Sequence, residues 1–266
     1  MPSPPHTFRN ALLAAALAAA ALTCAFPKLA WWPLAFVALV PLLFVLLHYR
    51  ASFSWRQVFL ISYLCGCLWF LASLWWIGYV TVGGMLVLTQ LLAILMAAAL
   101  TLGWWLVRRG MPAWLALPSV WMVFEALQTC FMTGFPWMLL GYALRPALPL
   151  VQIADLAGVY GVSWLVMLIN VAVADVACAL AARRTWRPCA TSATLACAAL
   201  AACALYGVWR LRLLDVPPLR SLRVAVVQAN IPSLVKHDTT RDSDILQRHV
   251  LLSEAAAQEH PELIIW

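Results

Sequence analysis

Charge is what this chain has least of. Asp, Glu, Lys and Arg make up 10% of its 266 residues, against roughly 25% in a soluble domain. Hydrophobic residues make up 65%, and the mean hydropathy is +0.90. This excludes a soluble globular protein, because such a chain stays dispersed only with lipid as its solvent. Metal-ligand spacing is also missing. His6, His48, His237, His249 and His260 are scattered. Cys65 and Cys67 stand one residue apart in an apolar run, so Cys-Gly-Cys is not the C-x-x-C of a metal or redox site. Most of the other cysteines also lie in apolar runs, where small, weakly polar side chains pack between helices. No internal repeat of the transporter kind is evident, and no line of acids or histidines marks a proton path. The net charge of +7 reads as the loop Lys and Arg of a membrane protein rather than as a nucleic-acid surface.

What the chain does have is apolar length. A span needs about 20 mostly apolar residues. Seven stretches qualify, at roughly 9–26, 31–48, 57–79, 84–106, 112–131, 159–181 and 188–209. With the N-terminus on side one, that side holds Arg9, Arg50, Arg56, Arg108, Arg109, Arg183, Arg184 and Arg187, while the other holds Lys28 and Arg145. The excess of arginine makes side one cytoplasmic, and seven crossings leave residues after about 212 outside. "ALTC", ending at Cys24, hints at a cleaved lipoprotein signal, but Thr23 is too large for the position before a modified cysteine. Three acids lie in or near spans: Glu125, Asp155 and Asp175. An ionisable group inside a membrane is a functional candidate; the plainer reading is that Glu125 and Asp175 pair within the bundle or lie near an interface.

The segment "MTGFPWMLLGYALRP" (132–146) groups Gly, Pro, Trp and Tyr at the outer boundary. Gly and Pro break helices, and irregular backbone at membrane depth survives only where protein or a cavity covers it. It reads either as an aromatic belt or as a surface by which lipid enters, with Phe135 and Trp137 as candidate substrate contacts.

The composition changes after "DVPPLR" (215–220). "LRVAVVQA" is an apolar run of strand length. "TTRDSDILQRHVLLSEAAAQE" (239–259) is charged and helix-forming, with Ile245, Leu246, Val250 and Leu252 on one face. "ELIIW" (262–266) begins a second buried strand. The order β-α-β opens a layered α/β domain, in which active residues sit just past the strands' C-terminal ends. Three regions are expected: a transmembrane domain over 1–214, a linker over 215–221, and the start of an extracytoplasmic domain over 222–266. A lone β-α-β unit leaves both faces of its strands uncovered, so the chain is expected to be the front part of a longer protein.

These residues resemble a family. "RVAVVQANIP", a helix and "ELIIW" are similar to the start of a nitrilase-type (carbon–nitrogen hydrolase) domain. "WWPLAFVALVPLL" (31–43), "TGFPWMLLGYAL" (133–144) and "LAGVYGVSWLVMLIN" (156–170) resemble the apolipoprotein N-acyltransferases, and the likeness runs from about residue 25 to 266. The resemblance implies an α-helical polytopic bundle followed by the first β-α-β of a nitrilase-type domain, in the bacterial inner membrane. It also implies two substrates: a phospholipid acyl donor and a lipoprotein bearing a diacylglyceryl-cysteine. Acyl transfer would run through a Cys thioester, with a Glu general base and a Lys at the oxyanion, and with no metal or cofactor. All three are expected beyond Trp266, so no catalytic residue is assigned within the chain. The sequence departs from the family at Gln128, where Arg is frequent, and at His237, where an aromatic commonly follows Lys236 near the substrate. The "WWIGYVTVGG" stretch is also shorter than usual. The rival readings are a transporter or a non-catalytic scaffold with an incidental soluble tail, and a nitrilase relative with another acyl acceptor.

Overall fold

A computed structural model describes residues 5–131, 134–182, 187–214, 221–236 and 238–266. His237, Thr133, the arginines Arg183 and Arg184, and most of the expected linker (215–220) lie outside the described residues. Backbone contacts divide the chain into two units, Met1–Leu214 and Asp215–Trp266.

The first unit is helical: α1 (Pro5–Ala25), α2 (Val40–His48), α3 (Trp55–Leu74), α4 (Val82–Arg108), α5 (Ala113–Cys130), α6 (Leu148–Val151), α7 (Ala154–Ala181) and α8 (Arg187–Leu214). Short 3-10 turns at Trp32–Phe36, Trp75–Tyr79 and Leu140–Leu144 mark the breaks. Among the described residues, five helices are long and apolar enough to cross a membrane, lying within α1, α3 with its following turn, α4, α7 and α8. The apolar stretch over 31–48 is not one continuous helix. Pro33 and Pro41 stand at the first turns of its two pieces, where a missing N–H costs nothing, and α2 alone is only about 14 Å long at 1.5 Å per residue. Helix α5 is regular over 18 residues, but Glu125 and Gln128 lower its hydropathy, and it is not among the five.

Buried polar side chains hold the breaks. Asn170 of α7 is fully buried. Its Oδ1 accepts from Leu39 N–H at 2.9 Å, and its Nδ2 donates to Ala35 O at 2.7 Å. One amide thus satisfies both a donor and an acceptor freed by the non-helical stretch between the two pieces. Small residues bring backbones together elsewhere. α3 packs extensively on α4, and a Cβ added at Gly66 would stand 2.9 Å from Ala93 Cα. Close approach through small residues is how helices associate where lipid removes the hydrophobic drive. The same pair is joined by the hydrogen bond from Tyr63 to the Gln90 side chain.

In the second unit, β1 (Val224–Val226) and β2 (Leu263–Ile265) pair in parallel, Ala225 opposite Ile264. Between them run the short helix α9 (Ser233–Lys236) and then α10 (Asp242–Ala257). Asp242 and Asp244 stand in the first turn of α10, where they complement the helix dipole. Trp266 Nε1 donates to Ser253 Oγ at 2.7 Å, tying β2 to α10. Val226 remains 75% exposed.

Candidate functional site

The site is built at the C-terminal end of α5. Trp121, Glu125 and Gln128 follow at i, i+4 and i+7, which puts them on one helix face. All three are buried. Glu125 Oε1 accepts from Trp121 Nε1 at 2.9 Å and from Leu140 N–H at 2.6 Å. Its Oε2 is buried without a well-aligned donor, and the Ser163 hydroxyl interacts with the same carboxyl. Ser163 Oγ in turn accepts from Gly141 N–H at 2.8 Å. One turn further along, Gln128 Nε2 donates to Phe135 O at 3.2 Å and to Trp137 O at 2.5 Å. Phe135 N–H returns to Gln128 O at 2.8 Å. From Gly134 to Gly141 the backbone is irregular, and side chains of α5 and α7 replace hydrogen bonds that a helix would have made.

Gly134 opens the turn. Its φ is +71°, a region that suits glycine, and a Cβ there would stand 2.2 Å from Thr129 O. The chain reverses tightly and lifts its aromatics outward. Phe135 and Trp137 stack with ring centroids 5.4 Å apart, and Trp76, in the turn after α3, meets Trp137 at 6.4 Å. Trp137 is 52% exposed and Trp76 41%. Nearby in sequence, Trp75 carries Lys28 Nζ 4.8 Å from its ring centre. The result is an exposed aromatic platform contributed by two elements and anchored from below by a buried amide and a buried carboxyl.

The structure brings Phe135 and Trp137 together; His237 lies outside the described residues. Sequence reasoning missed the anchors Gln128 and Ser163, and left Glu125 between an internal pair and a function. The available signal was the Trp121–Glu125–Gln128 spacing ahead of a Gly/Pro-rich segment. Of the other acids, Asp155 is tied by Tyr206 OH and Arg210 Nε, each at 2.8 Å. Asp175 lines a cavity at the far end of α5. Among the described residues no group of His, Cys, Asp and Glu could hold a metal ion. Cys130, beside the platform in sequence, has its thiol directed to Ala126 O at 3.1 Å. What the arrangement offers is apolar binding at a rigid, aromatic surface.

Residues 18–172 match the family described as the apolipoprotein N-acyltransferase N-terminal domain, a stretch that contains the whole platform. Relatives named apolipoprotein N-acyltransferase share 30% identity with the chain. The one from Geobacter metallireducens aligns with 97% of this chain and 51% of its own length. That from Allorhizobium ampelinum aligns with 79% and 41%, and that from Vibrio cholerae with 88% and 49%. The chain spans about half the length of these relatives.

Proposed function

The chain belongs to the apolipoprotein N-acyltransferase family, and on that premise we propose that it is the membrane part of an enzyme moving an acyl chain from a phospholipid to the N-terminal diacylglyceryl-cysteine of lipoproteins. The observation that carries the reading is the platform of Trp76, Phe135 and Trp137, half-open and fixed by Gln128 and Glu125. Both proposed substrates are lipid-anchored, so their acyl chains need an apolar, shape-stable surface, and stacked aromatics provide one at little cost in rotamer freedom. The proposed chemistry is covalent. A Cys thiolate adds to the ester carbonyl of the phospholipid, the C–O bond breaks, and lysophospholipid leaves with a proton from a Glu. The lipoprotein α-amine then attacks the thioester, the C–S bond breaks, and the amine proton passes to the Glu as the thiolate returns. This Cys, the Glu and a Lys at the oxyanion are proposed to follow Trp266, in a nitrilase-type domain that begins at about residue 222. Expressing the gene that encodes this chain, read through past codon 266, should rescue cells depleted of their N-acyltransferase. A stable membrane protein that leaves lipoprotein amino termini unacylated would contradict the proposal.

The proposed topology has seven crossings, with the N-terminus in the cytoplasm and residues after about 212 in the periplasm of the inner membrane. Three arginines at one end of the bundle support it. Arg56, Arg108 and Arg109 lie over Trp55, Trp104 and Trp105 with centroid distances of 5.5, 4.9 and 5.0 Å. Such pairs suit the headgroup level, and their excess on one side marks the cytoplasm. Alkaline phosphatase fused after Pro146 or Trp266 should be active, and fused after Arg109 inactive; activity at Arg109 would sink this topology.

A further inference from the structure

Helix α5 has a second end, and a cavity of about 1070 Å3 opens there. It lies between the ends of α2, α4, α5, α7 and α8, away from the aromatic platform. Leu47, Met111 and Trp114 give it apolar walls, and charges of both signs line it, Arg50 from just past α2 and Asp175 from α7, with the His48 imidazole beside them. Asp175 stands six residues before Ala181, the last residue of α7, so it lies about 9 Å inside the helix end. Arg50 acts on Asp175 electrostatically and the Ser192 hydroxyl hydrogen-bonds it. Yet the ion pairs among the described residues join other partners. Opposite charges thus face one cavity without closing on each other. His48 is held in place, stacked on Phe44 at 5.2 Å.

A carboxylate offers about four lone-pair directions, and a hydroxyl uses one. An acid at this depth is costly without a charged or multiply donating partner. A ligand that fits must bring an ammonium with N–H donors to Asp175 and an anionic group to Arg50, with an apolar body for the remaining wall. A free phosphate would satisfy Arg50 and leave Asp175 as it is. An anionic phospholipid without an ammonium would do the same and add like-charge repulsion.

We propose that this cavity binds one zwitterionic, ammonium-bearing phospholipid from the leaflet on the arginine-rich side, with its ammonium on Asp175, its phosphate on Arg50 and His48, and its chains along Leu47, Met111 and Trp114. The site is separate from the platform and does not rest on the proposed acyl transfer.

The test is lipid retention. The chain is reconstituted in vesicles of equal phosphatidylethanolamine and phosphatidylglycerol, extracted in mild detergent, and its bound lipids are counted by native mass spectrometry. Wild type should retain phosphatidylethanolamine in excess over the vesicle ratio. Asp175→Asn should lower that preference about tenfold, the size expected for one charge-assisted hydrogen bond in a half-open site. Arg50→Gln should lower retention of both lipids. A wild-type ratio equal to that of the vesicles, or a preference untouched by Asp175→Asn, would show ordinary annular lipid and overturn the proposal. Should Asp175→Asn fail to fold, a photoreactive benzoylphenylalanine in place of Met111, with every charge retained, gives the second reading. Its adducts should favour phosphatidylethanolamine, and adducts in the vesicle ratio would refute the site.

Discussion

Glu125→Ala is expected to lower the stability of the helical unit by about 2–6 kcal/mol, since each of the two buried donors left without an acceptor costs about 1–3 kcal/mol. The donors are Trp121 Nε1 and Leu140 N–H, both now on Oε1. Alanine also vacates the volume of a carboxyl buried beside Ser163. Glu125→Gln is the matched control. Its amide oxygen can take both donors, so its loss should stay below about 1 kcal/mol, within the range of a near-isosteric change. Thermal unfolding of the three proteins in one detergent, followed by circular dichroism, separates the cases. If alanine and glutamine lower the melting temperature equally, the charge rather than the acceptor geometry matters, and the account of Glu125 as an anchor is wrong.

Trp137→Ala is expected to have the opposite profile, a large effect on activity with little on folding. The ring is half exposed and rests on Phe135 and Trp76, so its removal opens no internal cavity. Its backbone carbonyl, which Gln128 holds, is unaffected. A stacked aromatic contact contributes about 0.5–1.5 kcal/mol beyond its area, and 1.4 kcal/mol in a barrier is tenfold in rate. In the acyltransferase proposed for this chain, turnover should fall about tenfold while the melting temperature stays near wild type. Trp137→Phe, which keeps a ring on Phe135, should recover most of the rate. A loss of turnover that simply follows a loss of folded protein would leave Trp137 as part of an aromatic belt.

How far the sequence reached depends on the kind of residue that sets each feature. The long helices were legible because their apolar runs match the membrane thickness. The break at 31–48 was not. Asn170, which satisfies its freed backbone groups, is 131 residues from Leu39 in the chain, and a lone Asn in an apolar run carries no label. The helix α10 and the two strands followed from local pattern and turn residues. The platform was half legible: "TGFPW" announces an irregular aromatic turn, whereas Trp76, from the turn after α3, joins it only in three dimensions. Gln128 stood out as a departure from the family pattern, and its part in holding the carbonyls of Phe135 and Trp137 is visible only where the chain folds back. Asp175 illustrates the same limit, because the arginine facing its cavity comes from the other end of the sequence order, after α2.

Phospholipid acyl chains are proposed to rest on the platform of Trp76, Phe135 and Trp137. This is tested most directly with a phosphatidylethanolamine carrying a diazirine near the end of one acyl chain. After irradiation in vesicles, adducts are mapped by mass spectrometry on wild type and on Gln128→Leu, which removes the donor to Phe135 O and Trp137 O. Adducts should concentrate on the peptide covering 134–142 and on Trp76, and should disperse in the Gln128 variant. Labelling spread evenly over all lipid-facing helices, in wild type and variant alike, would contradict the proposal.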